Sequence, residues 1–419
     1  MKNKHSGSSL DYWLEEEGIL EDATAVAVKR VIAWQILQAM EQQQITKTDM
    51  AKRMHTSRAA LNRLLDESDT SVTLMTLASA AAALGKKNAV SVAARLNPMT
   101  TKILIVRTSS LGDLVHMLPA MSDIARYVPD AQIDWLVEDS FAQIPAWHPA
   151  VNEVICVAHR RWRKAWWSAE VRAARQALER NLRARRYDIV LDMQALLKSV
   201  WLTRMASGTK HGLGFTSARE PLASFFYDVR HRVKFWQPAV TRQRELAALT
   251  FGYTYEGAPD FGLQAFEDEA RVLRTHEDAY AVMMPSASRD DKLWPVEDWR
   301  AVFDRLTEQG LQLKILSGNE AEMRRAQELV AGRPNAIVLP RMDLTEVARC
   351  LAGAKLMVGL DSGLTHLSAA LGRPTIGIYK ASTPIRTPLV GSAFTASLGD
   401  RGKSPTRESV LGALNDALR

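Results

Sequence analysis

The sequence predicts an α/β protein with two doubly wound, Rossmann-like halves, preceded by a small all-α domain. Three observations lead to this fold class. Short apolar runs alternate with amphipathic helical patterns from about residue 101 onward, as in buried parallel strands joined by crossover helices. The alternation is interrupted near residues 255–275 and then resumes, which indicates two sheets. The first 98 residues show helical periodicity only.

Ten apolar runs have the length and composition of buried strands. The first half contains runs at residues 102–106, 133–137, 153–157, 189–192 and 210–215. The second half contains runs at residues 279–284, 312–316, 336–339, 355–360 and 375–379. Helical patterns between them include residues 169–182, 299–308 and 344–352. Ligands of such folds bind at the carboxyl ends of the strands, so we expect a site in the cleft between the halves.

The N-terminal region predicts four short helices. Apolar spacing indicates one over residues 25–40, two within residues 45–66 and one over residues 73–84. Thr46 with Asp49 is typical of a capping box, and Ser57 can cap the third helix. A short turn between the second and third helices is typical of a helix-turn-helix domain. A Pro-containing linker at residues 91–100 and the internal Met99 favour a fusion of two units, so we expect domains at 1–98, 99–265 and 266–419.

Residues 10–90 resemble small Xre/Cro-type helix-turn-helix regulators. The resemblance implies that the third helix enters the major groove of DNA and that its contacts are Ser57, Arg58, Asn62 and Arg63. The turn position that usually holds Gly is His55 here. Residues 1–98 carry 12 Lys and Arg against 11 Asp and Glu, so their attraction for phosphate is weak. The alternative is a packing or dimerisation unit without DNA contact.

Composition indicates the cellular compartment and the classes of ligand that the protein could bind. The two cysteines, Cys156 and Cys350, provide no disulfide framework, which predicts a reducing compartment. An export signal and an apolar run long enough for a membrane span are both missing from the sequence, so we predict a cytoplasmic protein. The net charge is +7, and residues 99–419 hold 42 Lys and Arg against 36 Asp and Glu. That excess fits nucleic acid, an anionic membrane or a phosphorylated substrate.

Familiar cofactor motifs are absent from the sequence. The segment around Gly212 and Gly214 lacks the third glycine of a dinucleotide fingerprint, and there is no Walker motif, Cys/His metal spacing or Gly-x-Ser-x-Gly elbow. The sequence therefore predicts no cofactor and no metal site.

Polar residues after strands are the remaining candidates. Asp113 follows the first strand, where it could be only a helix N-terminal carboxylate. Asp361–His366 (DSGLTH) follows a strand and opens a helix, so its Ser-Gly amides either face a phosphate or form a capped turn. Lys292 follows another strand and is either a diphosphate partner or a surface lysine.

The segment RRWRKAWW, residues 160–167, combines four cations with three tryptophans. Tryptophan prefers the lipid–water interface and cations attract lipid phosphates, so a phosphorylated, lipid-bearing surface fits this composition. Nucleic acid fits it as well. The third possibility is a solvated helix start with its tryptophans turned into the core.

Several separated motifs carry a second resemblance. KILIVRTSSLGDLVHMLPA, RRWRKAWW, DMQALLKS, RDDKLWP and DSGLTHLSAALGRPT resemble, in order, the bacterial lipopolysaccharide heptosyltransferases, most closely their type I members. The resemblance covers the chain from Lys102 onward. It implies a GT-B fold with the acceptor on the first Rossmann-like domain and the nucleotide sugar on the second. It further implies transfer of L-glycero-D-manno-heptose from ADP-heptose to the Kdo of Kdo-lipid A, with inversion.

The same resemblance assigns roles to residues of this sequence. Asp113 would be the general base, and Lys292 would stabilise the ADP leaving group. The donor-binding residues would be Ser288, Glu322, Met342, Asp361, Ser362, Gly363 and His366. The acceptor-binding residues would be Arg160, Arg161, Arg163, Lys164, Lys198 and Arg219. The lipid-borne acceptor implies a location at the cytoplasmic face of the inner membrane.

Two departures from the family pattern are present. The Gln-Gly that follows the fourth strand is Gln194-Ala195 here, and the Tyr-Gly-Pro-Thr-Asp-Pro loop has become Tyr-Lys-Ala-Ser-Thr-Pro at residues 379–384. The alternative function is a transcriptional regulator that senses a sugar nucleotide. Retention of Asp113, Lys292 and Asp361 favours an enzyme, because a domain that only binds has no use for a general base.

Overall fold

The computed structural model describes residues 40–41, 44–53, 56–65, 101–273, 279–287 and 289–419. The chain divides into two compact units, Met1–Asn97 and Pro98–Arg419. Ser288, His55 and the side chain of Arg63 lie outside the described residues, as does the predicted helix over residues 73–84. The limits proposed for the three domains stay predictions.

The first unit contains helices α1 (Lys47–Arg53) and α2 (Arg58–Leu65). The Thr46 hydroxyl donates to Asp49 at 2.6 Å and accepts the Asp49 backbone N–H at 3.2 Å, so the predicted pair does hydrogen bond at the start of α1. Met50 and Leu61 are buried. Three of the predicted DNA contacts are exposed: Ser57, Arg58 and Asn62. The helix-turn-helix assignment and DNA binding stay predictions.

Parallel strands form the first sheet of the second unit, in the order β3-β2-β1-β4-β5-β6. They are β1 (Lys102–Val106), β2 (Gln132–Glu138), β3 (Val151–Val157), β4 (Ile189–Asp192), β5 (Thr209–Leu213) and β6 (Val229–His231). The helices around them are α3 (Leu111–Val115), α4 (Leu118–Tyr127), α5 (Gln143–Ala146), α6 (His159–Trp162), α7 (Ala169–Ala184), α8 (Leu197–Thr203) and α9 (Ala239–Phe251). Short 3₁₀ helices lie at Asp139–Phe141 and Pro221–Phe226. The strand order reverses between β1 and β4.

The second sheet repeats this plan, in the order β12-β11-β10-β7-β8-β9. Its strands are β7 (Tyr280–Met284), β8 (Gln312–Ile315), β9 (Ala336–Val338), β10 (Leu356–Leu360), β11 (Thr375–Tyr379) and β12 (Thr395–Gly399). Its helices are α10 (Gln264–Leu273), α11 (Val296–Glu308), α12 (Glu320–Val330), α13 (Leu344–Gly353), α14 (Gly363–Ala370) and α15 (Arg407–Leu418), with a 3₁₀ turn at Asp290–Lys292. The order reverses between β7 and β10, and such reversals open a crevice where ligands bind.

All ten predicted strands are confirmed, with ends within two residues of the prediction. Every residue of β7, β10 and β11 is buried, because helices cover both faces of a parallel sheet. Strands β6 and β12 were not predicted. Both are edge strands whose residues are half-buried or exposed, so they lack the continuous apolar run that marks a central strand. No described helix is long and apolar enough to cross a membrane.

Candidate active site

Asp113 lies in the first turn of α3, just beyond the carboxyl end of β1. One carboxylate oxygen is 2.9 Å from the Arg107 guanidinium, and the other accepts the hydroxyl and backbone N–H of Ser110 at 2.9 and 3.1 Å. Burial raises the pKa of Asp113, but the charge of Arg107 and the hydrogen bonds from Ser110 have the larger combined effect and lower this pKa to about 2. The carboxylate is therefore ionised at neutral pH.

A second ionised carboxylate follows β10 in the other half. Asp361 is 3.0 Å from the Lys292 ammonium, which also donates to the Asp361 carbonyl at 2.8 Å. The same carboxylate accepts the hydroxyl of Ser382 and lies 3.3 Å from Nε2 of His366. Burial raises the pKa of Asp361, but the hydrogen bonds from His366 and Ser382 and the charge of Lys292 bring it below its ordinary value.

The amino ends of α3 and α14 meet between these carboxylates. Ser362 caps α14, and Gly363 is its first residue. A Cβ placed on Gly363 would lie 2.4 Å from Leu111 Cδ2 and 2.8 Å from the backbone nitrogen of Gly112. Only glycine therefore allows the two helix ends to approach so closely. Both helix dipoles present their positive ends to the cleft.

Two buried histidines also join the halves. His116 Nε2 lies 3.1 Å from His366 Nδ1, and the two rings pack edge to face. Burial and the neighbouring His366 lower the pKa of His116 to about 3, so its ring is neutral. His116 Nδ1 is buried and has no hydrogen-bond partner.

A cavity of about 260 Å³ opens beside Asp113. Five cationic side chains line it: Arg107, Lys198, Arg219, Arg242 and Arg386. Burial lowers the pKa of Arg242 to about 10, with a further contribution from Arg386. The Nε atoms of Arg107, Arg242 and Arg386 are buried without a hydrogen-bond partner. Buried donors normally have partners, so this cavity is suited to an anionic ligand.

Residues 175–413 match the model of glycosyltransferase family 9 (heptosyltransferase). The chain belongs to this family. Lipopolysaccharide heptosyltransferase 1 of Escherichia coli K12 is 47% identical over 285 residues, which cover 68% of this chain and 89% of that protein. The Pseudomonas aeruginosa protein of the same name is 44% identical over 286 residues, 68% of this chain and 79% of that protein.

Solved heptosyltransferase structures have a similar fold. An E. coli heptosyltransferase with ADP is similar with a TM-score of 0.69 and 42% identity, over 76% of this chain and 100% of that chain. E. coli ADP-heptose lipopolysaccharide heptosyltransferase II is similar with a TM-score of 0.57 and 22% identity, over 76% of this chain and 98% of that chain. At this identity the similarity shows the fold alone. The predicted GT-B-like fold, the glycosyltransferase class and the type I resemblance are confirmed. Family membership favours the transferase over the alternative of a transcriptional regulator.

The predicted acceptor residues of this family 9 chain separate into two groups. Lys198 and Arg219 line the cavity beside Asp113, and the Lys198 ammonium donates to Ser109 Oγ at 3.1 Å. The other four are exposed on and just after α6: Arg160, Arg161, Arg163 and Lys164. They do not line that cavity. Burial lowers the pKa of Lys198 and the charge of Arg160 adds to this effect, which places the two groups within electrostatic reach.

Two predicted donor residues of the second half lie away from Asp361. The Glu322 carboxylate accepts the backbone N–H of Gly318 at 2.7 Å and the amide of Asn319 at 2.9 Å, so it faces its own loop. A cavity of about 460 Å³ adjoins this loop and includes Arg341 in its wall, and half-buried Met342 is the next residue. Ser288 lies outside the described residues.

Sequence reasoning missed several residues of the site. Arg107 directly follows β1, so the rule that pointed to Asp113 could have found it. No such signal marks His116, Arg242, Ser382 and Arg386, because they reach the site from the C-terminal end of α3, from α9 or from a loop of the opposite half. The loop at residues 379–384, which differs from the family pattern, still carries a hydroxyl at Ser382, and this hydroxyl donates to Asp361.

Proposed function

We propose that this family 9 enzyme is an inverting transferase. It moves L-glycero-D-manno-heptose from ADP-heptose to the Kdo residue of Kdo-lipid A, in assembly of the lipopolysaccharide inner core. The observation that carries the proposal is the pair of ionised carboxylates, Asp113 and Asp361, held on opposite halves where α3 meets α14. Relatives solved with ADP and with ADP-2-deoxy-2-fluoro heptose support the choice of donor.

The chemistry begins with Asp113. Its carboxylate removes the proton from the attacking Kdo hydroxyl while the hydroxyl oxygen bonds to the anomeric carbon of heptose. The bond from that carbon to the diphosphate oxygen breaks on the opposite face, so the configuration inverts and ADP leaves. Negative charge grows on the departing oxygen, where the Lys292 ammonium and the amino end of α14 stabilise it.

The donor lies against the second half. Ser288, Ser362 and Gly363 hold the diphosphate, and backbone N–H groups at the start of α14 suit this task. Asp361 accepts hydrogen bonds from heptose hydroxyls, and His366 keeps that carboxylate in place. The ribose contacts Glu322 and the adenine lies near Met342. The Glu322 carboxylate accepts one hydrogen bond on each oxygen, from Gly318 and Asn319, and its remaining lone pairs can accept a ribose hydroxyl.

The acceptor lies against the first half. Its Kdo carboxylate enters the cationic cavity beside Asp113, where Lys198 and Arg219 bind it together with the three other cations. The exposed Arg160, Arg161, Arg163 and Lys164 meet lipid A phosphates at the mouth. Because the acceptor is a lipid, the enzyme works at the cytoplasmic face of the inner membrane.

The test measures ADP release by the purified full chain with ADP-heptose and Kdo-lipid A. Asp113→Asn is expected to lower kcat by about 10²- to 10⁴-fold, because it removes the base, while affinity for ADP stays unchanged. Asp416→Asn, at an exposed site in α15, is the control and keeps full turnover. Equal turnover in Asp113→Asn, absence of turnover in the unmodified chain, or a product with retained anomeric configuration would overturn the proposal.

A further inference from the structure

An exposed apolar surface lies on the first half, outside the catalytic cleft. The surface, here called the aromatic surface, comprises the exposed Trp167, Leu197, Leu222, Phe225 and Phe226 together with half-buried Trp201. Trp167 is 86% exposed, and Leu222 and Phe225 are each 59% exposed. These residues come from the segment before α7, from α8 and from the 3₁₀ helix Pro221–Phe226. Single exposed apolar residues are normal on a protein surface, but a cluster from three elements indicates a binding surface.

Three members of the aromatic surface, Leu197, Trp201 and Phe226, line one cavity of about 720 Å³. Trp166, next to Trp167, lies 5.3 Å from Trp201 between ring centroids. The Leu197 backbone N–H donates to Glu220 at 2.7 Å, which ties α8 to the start of the 3₁₀ helix. Leu197, Trp201 and Phe226 therefore form one patch, and Trp167, Leu222 and Phe225 lie beside it as neighbours in the chain of residues that contact or line this cavity.

Cations border this patch. Arg172, Arg175, Arg183 and Arg204 line the cavity, and the one acidic residue in its wall, Glu179, is paired with Arg183 at 2.7 Å. The Arg175 guanidinium lies 3.9 Å from the Trp166 ring centroid and 4.9 Å from that of Trp201. Arg204 lies over Phe226. Exposed aromatic rings flanked by arginines match the interface of an anionic bilayer, where rings enter the headgroup layer and cations meet phosphates.

Helix α8 connects this patch to the acceptor cavity. Leu196 and Lys198 line the cavity beside Asp113, whereas Leu197 and Trp201 line the cavity of the aromatic surface. Adjacent residues of one short helix thus face the two sites. If the face that carries the aromatic surface lies on a bilayer, a sugar attached to a lipid in that bilayer is held close to the first cavity.

We propose that the aromatic surface docks the enzyme on an anionic phospholipid bilayer and orients the acceptor cavity toward the lipid. Duplex DNA would match the arginines, but it has no use for exposed Leu222 and Phe225. The inference rests on the proposed function insofar as the acceptor is a lipid. Binding to a bilayer that lacks acceptor tests the surface by itself.

The first experiment is flotation of the full chain with vesicles of phosphatidylethanolamine and phosphatidylglycerol, compared with pure phosphatidylcholine. The unmodified chain is expected to prefer the anionic vesicles. Leu222→Ser/Phe225→Ser and, separately, Arg204→Glu are each expected to weaken vesicle binding on the order of tenfold. The matched controls are Leu249→Ser, at an exposed site on α9, and Arg300→Glu, at a half-buried site on α11, and they should bind as the unmodified chain does.

The second experiment compares two acceptors, Kdo-lipid A in vesicles and the same sugar after complete deacylation. The surface variants should lose turnover on the vesicle-borne acceptor and keep it on the soluble one. Equal losses on both, or unchanged vesicle binding in both surface variants, would overturn the docking proposal. Failure of the proposed function would instead remove turnover on the soluble acceptor in the unmodified chain, whatever the vesicles show.

A third measurement does not depend on the folding of the serine or glutamate variants. Brominated phosphatidylglycerol vesicles should quench tryptophan emission of the unmodified chain, and Trp167→Phe should reduce that quenching, because Trp167 is the most exposed tryptophan among the described residues. Two results would contradict docking through this face. One is quenching that Trp167→Phe leaves unchanged. The other is vesicle binding by the surface variants that added duplex DNA displaces.

Discussion

Asp113 and Arg107 form an ion pair whose strength works against the proposed chemistry. A carboxylate with a pKa of about 2 is always ionised near neutral pH, but it holds a proton weakly. Arg107 also lines the cationic cavity. An acceptor carboxylate bound there would share the guanidinium, and the Asp113 pKa would rise toward the range of a useful base when the substrate is in place.

The first prediction concerns Arg107→Gln. Without the guanidinium, the pKa of Asp113 should rise from about 2 to its ordinary 3.8 or above, since burial is then less opposed. The acid limb of the kcat/KM profile should move to higher pH by at least one unit. The same pair stabilises the fold above pH 3.8, and this stabilisation is lost as the pH falls through about 2. Over this pH range the free energy of unfolding should therefore change less in the variant than in the unmodified chain. An unchanged acid limb, with Arg300→Gln as control, would contradict the assignment.

The second prediction concerns Lys292→Met. The variant should lower kcat by about 10²- to 10³-fold with a smaller change in KM for ADP-heptose, because the ammonium acts mainly on charge that develops as ADP leaves. Steady-state kinetics check this. Lys355→Met, at an exposed site before β10, is the control. A rise in KM with kcat unchanged would mean that Lys292 only binds the donor.

At the level of elements, α9 is the support for the cationic cavity. It carries Arg242, and its first backbone N–H, at Ala239, donates to the Arg386 carbonyl at 2.7 Å, so it holds the loop from the other half. A buried bidentate pair anchors α9 to α4. Arg244 binds both carboxylate oxygens of Asp123, at 2.7 and 3.0 Å, and both side chains are almost fully buried.

The third prediction concerns this anchor. Asp123→Ala should lower the free energy of unfolding by about 3–5 kcal/mol, because it leaves the buried Arg244 guanidinium without its carboxylate partner. Asp123→Leu/Arg244→Met should recover most of that loss. Urea unfolding followed by tryptophan fluorescence measures both. Glu297→Ala, which removes an exposed pair with Arg300, should cost less than about 1 kcal/mol. Additive losses from the two changes of the buried pair would contradict this account.

For the second unit as a whole, the site depends on contact between its two halves. Each half contributes the helix that follows a central strand at its point of order reversal, and the helices meet at Gly112 and Gly363. The same approach brings His116 within 3.1 Å of His366. Asp113 therefore faces the donor residues only while this close contact exists.

The fourth prediction concerns Gly363→Ala. The added methyl group would meet Leu111 and Gly112, so the halves must separate slightly. A displacement of about 1 Å should lower kcat roughly 10²-fold while each half stays folded. The control is Gly412→Ala in α15, where a Cβ meets nothing within 4 Å and helix propensity should add about 1 kcal/mol of stability. Full activity in Gly363→Ala would show that the glycine contact is not required.

Much of this fold was predictable because buried parallel strands need continuous apolar runs, as in β7 and β10. The edge strands β6 and β12 were not predicted. Each pairs with a neighbour on one side only and is partly exposed, so it does not require a continuous apolar run. In the sequence, Ala195 differs from the family pattern only in replacing a glycine. Its φ of 54° shows that this position has a left-handed backbone, which costs an alanine about 1 kcal/mol.

The sequence by itself determined ten of the twelve strands that the structure describes, and that Asp113, Lys292 and Asp361 lie beyond the ends of strands, because strand periodicity and end residues are local properties of the chain. Only the tertiary structure decided that Arg242 and Arg386 share a cavity with Asp113 and that His116 reaches His366. Those contacts join residues far apart in the chain. They depend on how two separately folded sheets pack, and no local pattern encodes that distance.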